Sequence, residues 1–319
     1  MTEINSPRRQ DRAERGVKKK SSESRFLRCY FGHHKCMTSW VNRLLGRVCE
    51  ELNWKFVQVF DPRLLKAGVA EHVRAERPDI LAYTDPEPEL IRTLGNIVGF
   101  HIIRDPRDIV VSAYYSHLNS HPTKDWPELV EHRAKLKQLS KDDGLIAEMD
   151  FRRDEFRQIC EWDYDQENIL ELRMEDLIAN PYDRIVETMI FIGAAAENVP
   201  LTRRVLAEVK SSIRRGTTKK VVGLPLSLLP DYPVVMVPVE HLLSYIYESR
   251  FSALASGRER GEEDQQSHYR KGVAKDWRNH FKSRHLEYFS ANYNNVLMKT
   301  GYESSPEWWR GYVSDIAER

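Results

Sequence analysis

Residues 26–40 read FLRCYFGHHKCMTSW, and the change of pattern inside this stretch decides the fold. Phe26 to Phe31 form a short apolar run that stops at Gly32 and reads as a buried strand. Past the polar residues His33 to Ser39, apolar side chains recur at Trp40, Val41, Leu44, Leu45, Val48, Cys49 and Leu52, the one-sided stripe of a helix. A strand, a tight loop and a helix aim several backbone N–H groups and the positive end of a helix dipole at one spot, a ready anion site. Lys35 adds a full positive charge there, and Thr38 and Ser39 add hydroxyls at the first helical turn. The Gly-Lys-Ser/Thr tripeptide with which ATP-using P-loops hold Mg²⁺ is absent.

Outward from this unit, strand-like runs recur at 54–60, 79–83, 97–103 and 168–172, with helical stretches between them. Asp105 and Pro106 supply an N-cap and a first-turn proline, and Ile109, Val110, Ala113, Tyr114 and Leu118 continue at helical spacing. Residues 124–162 read as a helical insertion and 181–192 as a further helix. The last third offers a helical stretch at 239–255, a charged loop at 257–268 and a Trp- and Tyr-rich helical end. Alternation of this kind predicts an α/β fold, a central parallel sheet with helices on both faces and a ligand at the carboxyl ends of the strands.

Composition narrows the function. The 319 residues hold 49 basic and 48 acidic side chains, and a net charge of +1 argues against a dedicated nucleic-acid binder. Residues 1–25 carry a net +4 with almost no large apolar side chain and no apolar core of a secretion signal. They read as a disordered basic tail over 1–24, ahead of one domain over 25–319. No apolar run is long enough to span a membrane. Cys29, Cys36, Cys49 and Cys160 show no paired metal-ligand spacing, so reduced thiols in a cytoplasmic protein are expected.

Lys35 to Trp40 resembles the 5′-phosphosulfate loop of the sulfotransferase family, in which a Lys precedes small and hydroxyl residues and then a Trp. The segment 100–112, FHIIRDPRDIVVS, is similar to the family's second signature, an Arg at a strand end and a Ser eight positions later that clasp a 3′-phosphate. Residues 270–281, RKGVAKDWRNHF, resemble its C-terminal Arg-Lys-Gly loop. Weaker likenesses are 174–181, MEDLIANP, and Ser249-Arg-Phe251, a Ser/Thr-x-Phe element that borders the adenine. Three segments in the family's order over most of the chain make a chance match very improbable.

The resemblance implies a P-loop-like nucleotide-binding fold and transfer of a sulfuryl group from 3′-phosphoadenosine 5′-phosphosulfate (PAPS) to a hydroxyl or amine. Lys35, Cys36, Met37, Thr38 and Ser39 would hold the 5′ end, Trp40 and Phe251 the adenine, and Arg104, Ser112, Arg270, Lys271 and Gly272 the 3′-phosphate. These groups suit that donor, since cations with directional hydrogen bonds bind phosphate and flat apolar side chains stack on a base. Lys35 would stabilise charge on the leaving oxygen, and no metal is expected. The family's catalytic His, in a turn after the third strand, is replaced here by Thr84. Asp85 and His33 are the candidates for the general base, followed by His34 and His117.

The acceptor is expected to be a small molecule, a sugar or a lipid, held by residues within 54–90, 114–165 and 215–260. The segment through which many family members dimerise has Lys282-Ser283 in place of Thr-Val, so dimerisation by that route is not expected. Two alternatives stay open: a P-loop small-molecule kinase, and a module that binds adenosine 3′,5′-bisphosphate (PAP) without turnover.

Overall fold

β1 (Leu27–Gly32) runs through the middle of a five-stranded sheet with order β2-β3-β1-β4-β5, in which every pairing is parallel. In this computed structural model the described residues are 26–65, 67–124, 126–197 and 236–317. The tail over 1–24 and the stretch 215–235 of the expected acceptor wall lie outside them.

The central position of β1 explains its uninterrupted apolar run. Tyr30 faces a large cluster with Phe100, Val41 and Leu44, while Cys29 and Phe31 face a second cluster with Val69, Leu81 and Trp162. Successive side chains of a strand point to opposite faces, so a strand buried on both must be apolar at every step. α1 (Thr38–Leu52) follows β1 on the side of the larger cluster, and α2 (Val69–Glu76) and α3 (Pro88–Ile91) bring Val69 and Ile91 to the smaller one. Helices therefore cover both faces, as expected. Gly99 permits close approach of β4 to β1, because a Cβ there would lie 2.4 Å from the Cys29 carbonyl oxygen.

Strand boundaries shift a little from the sequence reading. β2 spans only Phe56–Val59, since Asn53 ends α1 in a left-handed conformation and the Trp54 N–H donates to the Cys49 carbonyl at 2.9 Å. β3 is Ile80–Thr84, β4 is Ile97–Ile103 and β5 is Ile169–Arg173. α4 (Pro106–Tyr115) leaves β4 at once, its N-cap Asp105 accepting from the Arg107 N–H at 3.0 Å, and runs into a π-helical turn at Ser116–Ser120. The insertion resolves into α5 (Pro127–Leu136), α6 (Lys141–Phe151) and α7 (Arg153–Glu161). α8 (Met174–Ala179) and α9 (Pro181–Phe191) follow β5.

The stretch 239–255 is two helices rather than one, α10 (Val239–Glu248) and α11 (Phe251–Leu254). Ser249 breaks it: its Oγ turns back to the Tyr245 carbonyl at 2.6 Å, and its own carbonyl accepts from Trp40 Nε1 at 2.8 Å. α12 (Ser283–Lys299) and α13 (Trp308–Ala317) complete the described chain.

Candidate active site

The loop after β1 is built by unusual backbone angles. Lys35 and Met37 both adopt positive φ, 67° and 62°, which non-glycine residues reach only at a cost. The curl closes through the His33 carbonyl, which accepts from the Cys36 N–H and the Thr38 hydroxyl at 3.0 Å each. The Met37 carbonyl takes the N–H groups of Trp40 and Val41. Helix geometry leaves the Thr38 and Ser39 N–H groups without an intrahelical acceptor, the usual origin of an anion site. Arg104, buried at the end of β4, braces the loop by donating to the Lys35 carbonyl at 3.1 Å.

A cavity of about 280 Å³ opens over this loop. Lys35, Met37, Thr38, Ser39, Trp40, Arg104, Ser112, Phe251, Arg270, Lys271 and Gly272 all line it. Cys36 does not: it is fully buried in the core beneath the loop. Trp40 serves core and wall at once, being 7% exposed. Gly272 sits at φ 70°, and a Cβ there would meet the Phe251 ring at 2.5 Å, so only glycine lets the loop lie against that ring.

The Arg-Lys-Gly segment is held by its own salt bridges. Arg270 pairs with Glu263 at 2.5 Å and with Asp276, and its guanidinium lies over the Tyr115 ring, 4.7 Å from the centroid. Lys271 reaches Asp276 at 2.7 Å. Burial would raise the Asp276 carboxyl, but hydrogen bonds from His280, Lys271, Asn279 and Arg270 hold it well below the usual carboxylate range. Asp108 ties this segment to α4 by accepting the Lys275 and Trp277 N–H groups at 2.6 and 2.8 Å. Burial pushes its carboxyl up to about 6, against Arg104 and those two N–H groups. Asp108 and Tyr115 had no role in the sequence reading; their place on the helix that carries Ser112 was the available signal.

Burial, followed by the charges of Arg104, Arg152 and Arg270, lowers the Lys35 ammonium to about 8. Beside it, His34 lines the cavity and its Nε2 lies 3.1 Å from His117 Nε2. His117 Nδ1 meets Glu148 at 2.8 Å, and His132 meets the other carboxylate oxygen at 2.8 Å. Burial lowers both His34 and His117, the latter to about 4. His33 and Asp85 lie off the cavity wall. His33 is fully buried with Nε2 3.0 Å from His101 Nε2, and Asp85 accepts the His34 N–H at 3.0 Å. Thr84, His121, His268 and Tyr269 complete this side of the cavity, and His268 reaches the Ser39 hydroxyl at 3.0 Å.

Among the solved structures that resemble this chain are two of low identity. Mouse sulfotransferase SULT7A1 complexed with PAP is 13% identical, with 91% of this chain and 90% of that chain covered at a TM-score of 0.46. A retinol dehydratase in complex with androsterone and the inactive cofactor PAP is 15% identical over 85% and 80%, at 0.42. Among curated proteins no match is found. The sequence profile described as "Sulfotransferase domain" matches residues 95–301, which takes in Arg104, Ser112 and the Arg270 segment and leaves the Lys35 loop outside. That match extends over more than half of the residues, and the chain belongs to the sulfotransferase domain family.

Proposed function

We propose that the protein transfers a sulfuryl group from PAPS to a hydroxyl or amine of a small-molecule, sugar or lipid acceptor. One observation carries the reading: three segments far apart in the chain, around Lys35, Arg104 and Arg270, bring their cations to one cavity wall. Arg104, Ser112, Arg270 and Lys271 with the Gly272 N–H suit a 3′-phosphate, and a guanidinium keeps further donors after two carboxylate contacts. Trp40 and Phe251 offer the apolar surface for a base.

Lys35 is assigned to the leaving 5′-phosphate. When the acceptor oxygen or nitrogen bonds to sulfur, the bond from sulfur to the bridging phosphate oxygen breaks and negative charge grows on that oxygen. An ammonium and preorganised loop N–H groups at that point lower the barrier.

The acceptor's proton passes to an imidazole of the wall. Asp85 and His33 are not among the residues that line the cavity, whereas His34 lines it next to Lys35. Glu148 takes the His117 Nδ1 proton, His117 Nε2 takes that of His34 Nε2, and His34 Nδ1 is left with its lone pair. Thr84 and the exposed Phe60, which line the cavity within the stretch 54–90, suit a mixed apolar and hydroxyl surface for the acceptor.

Residues 25–319 act as one domain in this reading. Four cysteines without a disulfide suit the cytoplasm, and no helix among the described residues is long and apolar enough to cross a membrane. Incubating the protein with ³⁵S-labelled PAPS and panels of phenols, alcohols, sugars and lipids tests the proposal. Labelled product is expected with at least one class. Tight PAP binding with no transfer to any acceptor would reduce the protein to a binding module.

A further inference from the structure

The two residues that the sequence put forward as bases, His33 and Asp85, face a third acceptor, Glu155. We propose that His33, Asp85 and Glu155 form a binding site for a divalent first-row transition-metal ion, with Zn²⁺ as the probe. Its three residues are not among those that line the cavity, although Asp85 also holds the His34 N–H at 3.0 Å.

The tautomers carry the argument. Glu171 accepts from Trp162 Nε1 at 2.7 Å and from His101 Nδ1 at 2.7 Å. His101 therefore bears its lone pair on Nε2, which takes the N–H of His33 Nε2 at 3.0 Å. His33 Nδ1 is then an acceptor, and it is fully buried without a hydrogen-bond partner. It looks onto Asp85 Oδ1 at 3.5 Å. Glu155, 5% exposed, gives one oxygen to Arg152 at 3.1 Å and leaves Oε1 without a partner. The three ligand atoms lie within 4.8 Å of one another.

Three acceptors thus converge: among the described residues His33 Nδ1 and Glu155 Oε1 have no donor and Asp85 Oδ1 has only the His34 N–H at 3.0 Å, an arrangement that costs free energy unless a cation fills it. Arg152 supplies that charge only in part, because it reaches the other Glu155 oxygen, Oε2, and is shared with Glu148 at 3.5 Å.

A second cluster, His117, His132 and Glu148, is as compact but closed. Its contacts at 2.8 Å pair a ring N–H with a carboxylate oxygen, which leaves nothing for an ion to satisfy. One imidazole and two carboxylates suit Zn²⁺ or Mn²⁺. The chain His33–His101–Glu171 reproduces the outer support that orients metal-bound imidazoles. An ion here would brace the loop after β1, the turn after β3 and α7 against one another.

The test is calorimetric titration of Zn²⁺ into the tag-free full chain after chelator treatment, with melting temperature followed in parallel. One equivalent should bind and raise the melting temperature. Asp85→Asn and Glu155→Gln should abolish that binding, and Glu171→Gln, which alters only the outer support, should weaken it about 10- to 100-fold. His132→Gln in the closed cluster should leave it unchanged. If a variant does not fold, Co²⁺ bound to the unmutated chain should show visible d–d bands of a nitrogen and oxygen ligand set. No stoichiometric binding, thiolate-type Co²⁺ bands, or binding unaffected by Asp85→Asn and Glu155→Gln would overturn the proposal and leave a shared proton between these groups.

Discussion

Lys35 occupies a left-handed backbone conformation at φ 67° and lines the cavity, and its carbonyl is anchored by Arg104. That strain is tolerated because the surrounding hydrogen bonds fix the loop. If the ammonium chiefly stabilises charge on the leaving oxygen, its loss must slow transfer more than it weakens donor binding. Lys35→Met keeps most of the aliphatic stem, and single-turnover transfer should fall about 10²- to 10³-fold while PAPS affinity falls far less. Collapsed affinity with an unchanged rate at saturating PAPS would make Lys35 a ground-state ligand. The place of Lys35 on the cavity wall was legible from its neighbours in sequence; His34 was named there only behind Asp85 and His33, and its pairing was not legible. Its partner His117 is 83 residues away and Glu148 a further 31, and no local pattern announces such a contact.

One contact of the C-terminal loop with another element is Gly272 against the Phe251 ring of α11. Gly272→Ala should destabilise the protein by more than about 1 kcal/mol, since alanine is strained at φ 70°, and should also weaken PAP binding by displacing the ring. Gly257 has φ 89° with open space around its Cβ position, so Gly257→Ala carries the backbone cost alone. Thermal denaturation and PAP titration of both variants separate the two effects, and equal PAP affinity in both would deny Phe251 a place in the site. The central strands were legible because burial on both faces forces apolar runs such as 97–103. The break between α10 and α11 was not, because the apolar stripe continues through Ser249 and the interruption comes from Trp40, 209 residues distant.

Across the whole molecule, imidazoles buried in the neutral state make folding sensitive to acid. His117 has a folded value of about 4 against an ordinary 6.5, so its contribution is fully present above pH 6.5 and is lost as pH falls toward 4. His268 behaves likewise, at about 4. The melting temperature should therefore decline between pH 6.5 and 4, and His117→Gln should flatten part of that decline; an unchanged slope would show that His117 is not buried neutral. The role proposed for Arg104, Ser112 and the Arg270 segment is to read a 3′-phosphate. Binding of PAP and ADP to the same preparation tests it most directly, because ADP has no phosphate at the 3′ position. PAP at about 100-fold excess over its Kd should add roughly 2.7 kcal/mol of stability. ADP should bind about 1.5–3 kcal/mol more weakly, the worth of hydrogen bonds to a charged group. Equal affinity for the two nucleotides, or none for PAP, would contradict the account.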